Sequence, residues 1–184
     1  MHIAALDASG DLEFIAVVYG SQQELETLRE RLTKISPLHM REIGKARRLK
    51  LAESFLRLLE GRSKHIRVLC IYTGIHKLRK SLKTRRIPSS KLELELKKAT
   101  ALAISSLLRK IFIEIIEADT EVKEILKMIG LSCRAGPLVG LADIAAWINR
   151  RYYGKRVKPY AKLFIEKNLS LEIEKLARNR LKKY

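Results

Sequence analysis

The chain has 184 residues, 47% of them apolar and 32% charged, which excludes a disordered polypeptide and leaves room for one domain with a full core. No apolar run approaches the roughly 20 residues of a membrane helix, and the N-terminus opens directly into strand-like sequence. Neither a membrane span nor a secretory leader is expected, and the expected setting is the cytoplasm.

In chain order, residues 2–8 and 12–19 alternate as strands about the turn "DASGD", with Gly10 at the position needing positive φ. Residues 22–35 carry Leu25, Leu28 and Leu32 at helical spacing, with Ser21 as N-cap and Glu24 completing a capping box. "SPLHM" breaks that helix and is a candidate short strand. A second helix, "REIGKARRLKLAESFLRLLEG", ends at Gly61. Residues 65–74 are apolar on both faces and read as a central strand.

A basic segment follows, then a helix to about residue 110 capped by Ser89 or Ser90. Residues 111–119, "IFIEIIEAD", read as a strand, 121–128 as a short helix and 137–154 as a longer one opening on Pro137. From Lys158 the chain reads as a basic helical extension of a single domain spanning 1–184. The order implies an α/β fold: an N-terminal antiparallel meander, then βα units, in one mixed sheet.

The net charge of +18 calls for an anionic partner. Heat adaptation also enriches Lys, Arg and Glu, but it adds charges of both signs rather than an excess of one. No acidic residue lies between Glu60 and Glu93, and from Arg150 onward twelve basic residues face three acidic ones. Lys77, Arg79, Lys80, Lys83, Arg85 and Arg86 in the central zone, and Arg150, Arg151, Lys155 and Arg156 in the later one, are the candidate nucleic-acid contacts. Aromatic residues are few and none cluster along a strand, so recognition through backbone phosphates is expected in place of base stacking. Cys70 and Cys133 are isolated, without zinc-site spacing, and Cys70 reads as a buried hydrophobe in a reducing compartment.

Only four aspartates occur. Asp7 ends the first strand on the side of Ile3 and Ala5, either as a turn residue or as part of a site, with the small residues Ala8, Ser9 and Gly10 leaving space around it. Asp143 stands inside the apolar helix "LVGLADIAAWI", where a charge is costly unless an arginine or a cation answers it. Nearby Gly136 and Gly140 allow a close approach by a cofactor or by backbone. Asp119 ends the "IFIEIIEAD" strand, Glu117 lies two residues before it, and capping of the next helix is an equal explanation for Asp119. Glu42 opens the second helix, where a carboxylate also suits the helix N-terminus.

These residues resemble the ribonuclease H-like superfamily, and archaeal and prokaryotic domain families placed in it. The likeness rests on "LDASGDLEF", "LHMREIGKARR" and "LADIAAWINRR" and spans roughly residues 2–153. It implies a five-stranded mixed sheet with helices on both faces and metal-dependent cleavage of RNA or DNA phosphodiesters. Carried over, Asp7 would bridge two Mg2+ or Mn2+ ions, Glu42 would support one and Asp143 would hold the other. Asp119 or Glu117 would replace the acidic residue that "VLCIYTGI" lacks. The alternative is a non-catalytic RNA-binding protein on the same scaffold. A leucine stripe in "LSLEIEKLARNRLKKY" also makes the last helix a candidate for homodimerisation.

Overall fold

The computed structural model describes residues 1–62, 64–83, 87–156 and 158–183. The strands are β1 (His2–Ser9), β2 (Phe14–Ser21), β3 (Ile66–Tyr72), β4 (Ile115–Ala118) and β5 (Phe164–Asn168). The helices are α1 (Gln22–Thr33), α2 (Lys45–Glu60), α3 (Ile75–Ser81), α4 (Ser89–Arg109), α5 (Thr120–Lys127), α6 (Val139–Tyr152) and α7 (Ser170–Leu181). One mixed sheet runs in the order β4-β1-β2-β3-β5. β1, β2 and β3 are antiparallel neighbours, while β4 lies parallel to β1 and β5 parallel to β3. It follows that β1, β3, β4 and β5 all end on the same edge.

Strand alternation divides the core. Ile3, Ala5, Ala16, Val18, Val68 and Cys70 face α1, α2 and α6. Ala4, Leu6, Ile15, Val17, Leu69 and Ile71 face α3, α4, α5 and α7. Both faces of β1 are therefore dry, which accounts for its nearly unbroken apolar sequence.

Several boundaries differ from the sequence reading. β1 continues through Asp7 to Ser9, and the turn falls at Gly10, Asp11 and Leu12, all with positive φ. Asp7 is thus a strand residue paired with Ala16. Ser21 caps α1 by accepting from the Glu24 N–H at 3.3 Å, but the Glu24 side chain pairs with Arg62 and leaves the capping box half made. "SPLHM" forms no strand, and α2 begins at Lys45 after a capping Gly44, so Glu42 precedes the helix. Pro88 rather than a serine stands at the N-cap of α4, with no side-chain bond. β4 is only four residues long, because Phe112 takes a positive φ and points to solvent as the chain leaves α4.

The C-terminal region differs most. Residues 164–168, read as helix, form β5 on the outer side of β3, so the fifth strand comes from here. Of the leucine stripe, Leu169, Ile173 and Leu181 are buried in the core beside α4, and Leu171 alone is well exposed. The stripe is packing within the chain, and the face expected to serve dimerisation is spent on α4. Buried Glu95 of α4 joins the two helices by pairing with Arg180 and Lys183. Burial works against that charge, but the hydrogen bond and charge of Arg180 outweigh it and hold the carboxyl below its usual range.

Glu117 is a second buried carboxylate with a structural task. It accepts from Arg134 Nη2 at 2.9 Å and from the Leu138 N–H at 3.1 Å, which fixes the approach to α6. Replacing Glu117 with Ala leaves that N–H unsatisfied at a cost of about 1–3 kcal/mol. The expected result in a thermal melt is a Tm lower by about 2–4 °C for each kcal/mol lost.

Candidate functional site at the carboxyl edge

The edge where β1 and β4 end gathers the acidic residues. Asp7 points to the α6 side of β1, with only 9% of its surface exposed. Asp119 follows β4 directly, and its own N–H donates to the Leu6 carbonyl of β1, so the two aspartates come from adjacent strands. Asp143 reaches the same place from α6. With Glu42, Glu121, Glu124, His39 and Arg41 they line a cleft of ≈ 400 Å³.

The aspartates differ in what holds them. Asp119 caps α5 by accepting from the Val122 N–H at 2.9 Å, so its capping role and its place in the cleft hold together. Asp143 accepts from the Met40 N–H at 2.8 Å, which ties the loop at 36–44 onto α6. A backbone donor, not the arginine weighed from sequence, is its direct partner. No hydrogen bond reaches the Asp7 carboxylate from any described residue. Glu117, the other candidate from the β4 strand, is committed to Arg134 and Leu138 and takes no part.

Glycines explain the close packing. A Cβ at Gly140 would lie 2.6 Å from the Leu38 side chain, and one at Gly136 would collide with the Glu117 carboxyl group. Both glycines admit parts of this chain: one the loop that carries Arg41, the other the carboxylate that anchors α6.

Electrostatics follow from burial and crowding. Asp7 is pushed up to about 8, first by burial, then by the Asp143 and Asp119 carboxylates, with Arg41 opposing. Burial also raises Asp119 and Asp143, against the hydrogen bonds each accepts and the nearby Arg41 charge. Glu121 is raised by burial and by Asp11 and Asp119. Arg41 thus favours the ionised form of all three aspartates without an ion pair to any of them among the described residues. Among those residues no three His, Cys, Asp or Glu side chains are drawn together as a ready metal cage.

A basic cleft of ≈ 460 Å³ adjoins the acidic one and shares Arg41 and Asp143 with it. Arg48, Trp147, Arg150, Arg151 and Lys155 line it with Ala8 and Ser9. Asp143, Trp147, Arg150 and Arg151 recur at i, i+4, i+7 and i+8, one face of α6. Arg150 donates to Ser9 Oγ at 3.3 Å, and the Arg151 guanidinium lies 5.2 Å from the Trp147 ring centroid.

The two basic zones therefore separate. Arg150, Arg151 and Lys155 reach the cleft, whereas Arg156 is exposed outside its lining. Lys77, Arg79 and Lys80 lie on α3, which packs on the opposite face of the sheet. Arg79 is occupied by Glu93 at 2.8 Å and Asp11 at 3.0 Å, and Lys77, Lys80 and Lys83 are exposed away from either cleft. Arg85 and Arg86 lie outside the described residues. Arg41, Arg48 and Trp147 were not singled out from sequence, although the α6 stripe was a visible signal for Trp147. No strand carries an aromatic cluster of its own, but the fold assembles one from separate segments: Phe14 of β2, Tyr72 of β3 and Tyr153 meet at this edge.

No family model matches the chain, nor does any curated protein or solved structure. Among the described residues no helix is long and apolar enough to cross a membrane.

The raised aspartates make stability depend on pH. Asp7 has its ordinary value of 3.8 when unfolded and about 8 when folded, so between these values the folded state binds more protons. Stability then falls as pH rises through that window, and Asp119, Asp143 and Glu121 act in the same direction. In chelator, Asp7→Asn should melt above wild type near pH 8 by about 2–4 °C per kcal/mol of repulsion relieved. The difference should shrink toward pH 4; a constant difference would remove Asp7 titration as its source.

Proposed function

We propose that this chain is a metal-dependent nuclease of ribonuclease H-like type acting on RNA or DNA. The observation that carries the reading is Asp7: buried, without a hydrogen bond from any described residue, facing two further aspartates and joined through Arg41 and Asp143 to a basic cleft. The carboxylate-dominated lining, with His39 the one imidazole among the described lining residues, fits Mg2+ or Mn2+ better than softer metals. β4 beside β1 also supports the resemblance, because it brings Asp119 to the Asp7 site as a substitute for the acidic residue that β3 lacks.

Asp7, Asp119 and Asp143 would hold the ions, with Glu42 or Glu121 at the rim. Bound there, such ions supply an activated water and stabilise the leaving oxygen of a phosphodiester. The chain's own residues do the rest. Arg41, Arg48, Arg150 and Lys155 hold the phosphate backbone, and the Met40 N–H keeps the Asp143 carboxylate oriented.

A second reading, binding without cleavage, is favoured by the lack of a ready cage among the described residues. The readings part on labelled single-stranded RNA, RNA–DNA hybrid, and single- and double-stranded DNA incubated with Mn2+ or Mg2+. Cutting that falls by about two orders of magnitude or more in Asp7→Asn and Asp143→Asn supports the nuclease. Mn2+ should also raise the Tm of wild type but not of Asp7→Asn. Under either reading, Arg150→Ala should weaken binding and flatten the dependence of log Kd on log salt by about 0.7–0.9. Salt-sensitive binding without cutting or a Mn2+ shift leaves only the second.

A further inference from the structure

The aromatic cluster sits where a substrate on the proposed site would pass. Asp7 and Ser9 point to the same side of β1, Ser9 pairs with Phe14, and Phe14 pairs with Tyr72. All four residues share the face covered by α6, from whose end Tyr153 folds back over the sheet. By strand geometry the Asp7 and Phe14 backbones are on the order of 8 Å apart. Tyr153 stacks on Tyr72 with ring centroids 4.6 Å apart at 26°, and meets Phe14 edge-on at 4.9 Å. A cluster serving only the core would be sealed, yet Tyr153 is 43% exposed.

A separate cleft of ≈ 180 Å³ opens beside these rings, lined by Tyr72, Tyr153, Asn149 and Asn168 among others. Asn149 is only 2% exposed. Its side-chain oxygen accepts from Tyr160, and that of Asn168 accepts from Ser170. The NH2 groups of both amides have no partner among the described residues. Amide donors beside an exposed ring, one on buried Asn149 and one on exposed Asn168, suit a planar heterocycle bearing carbonyl oxygens and ring nitrogens.

We infer that Tyr153, backed by Tyr72 and Phe14, is a stacking platform for one unpaired base, so the preferred polymer is single-stranded. The inference rests on the nucleic-acid reading of the neighbouring site and narrows its substrate. Duplex bases are already stacked on one another and present no free face, whereas an unpaired base offers both faces. Arg150, three residues before Tyr153, donates to Ser9 beside Phe14 and so brings a positive charge near the platform, while the Glu166 carboxylate that lines the cleft is paired with Lys158.

The test is fluorescence anisotropy in chelator, where no cleavage intervenes, with single-stranded and duplex oligonucleotides of equal length. Tyr153→Ala should lose roughly 5- to 150-fold in single-strand affinity, the range of one base–aromatic stack. Tyr153→Phe should stay within about twofold of wild type, and duplex affinity should not move. Equal losses on both polymers, or a loss in Tyr153→Phe matching that in Tyr153→Ala, would overturn the platform.

Should Tyr153→Ala fail to fold by circular dichroism, a strand carrying 2-aminopurine gives the answer on wild type. Its emission should be quenched on binding, and an unchanged emission in a saturated complex sinks the inference. Metal-dependent cutting of duplex without quenching would reject the platform and keep the nuclease. Quenching without any cutting would do the reverse.

Discussion

Carboxylates repel one another, and this chain brings three aspartates together at one edge of its sheet. Two of them are occupied by backbone N–H donors, Val122 for Asp119 and Met40 for Asp143. The third, Asp7, is enclosed and receives none from the described residues, so the surrounding framework has to keep it in place. Burial in low dielectric and like charges both oppose its ionised form. A site of this kind is stable as a partly protonated cluster or as an ionised one around a cation, and the nearby Arg41 charge moderates the conflict without removing it.

Much of the architecture can be traced to that requirement. β4 pairs directly with β1, so the Asp119 backbone is fixed by a strand bond rather than by a flexible loop. Glu117, one strand position before Ala118, reaches Leu138 and sets where α6 begins. α6 then delivers Asp143 to the acidic cleft and Trp147, Arg150 and Arg151 to the basic one. One helix therefore carries both signs of the proposed chemistry, and its register is controlled by a carboxylate that takes no part in it.

Local patterning made most elements legible in the sequence, because strand alternation and leucine spacing act over short distances. The three aspartates were legible too, since an acidic residue inside an apolar run is conspicuous. β5 was not: its pattern of one buried and four exposed residues gives an edge strand no apolar signature, and basic residues around it look helical. The partners were also hidden. Whether a carboxylate is answered by Arg134, by Met40 N–H or by nothing depends on contacts across 17 to 103 residues, which spacing cannot reveal. Arg79 shows the same limit, its charge being absorbed by Asp11 and Glu93. The aromatic group escaped because Phe14, Tyr72 and Tyr153 come from three separate segments.

The position of Trp147 has a practical side. It is the single tryptophan of the chain, it lines the basic cleft, and a guanidinium lies against its ring. Its emission therefore comes from one known place, with no second indole to dilute it. An unlabelled chain thus carries its own optical reporter, sensitive to whatever polyanion, ion or small molecule displaces the Arg151 side chain or the water around it.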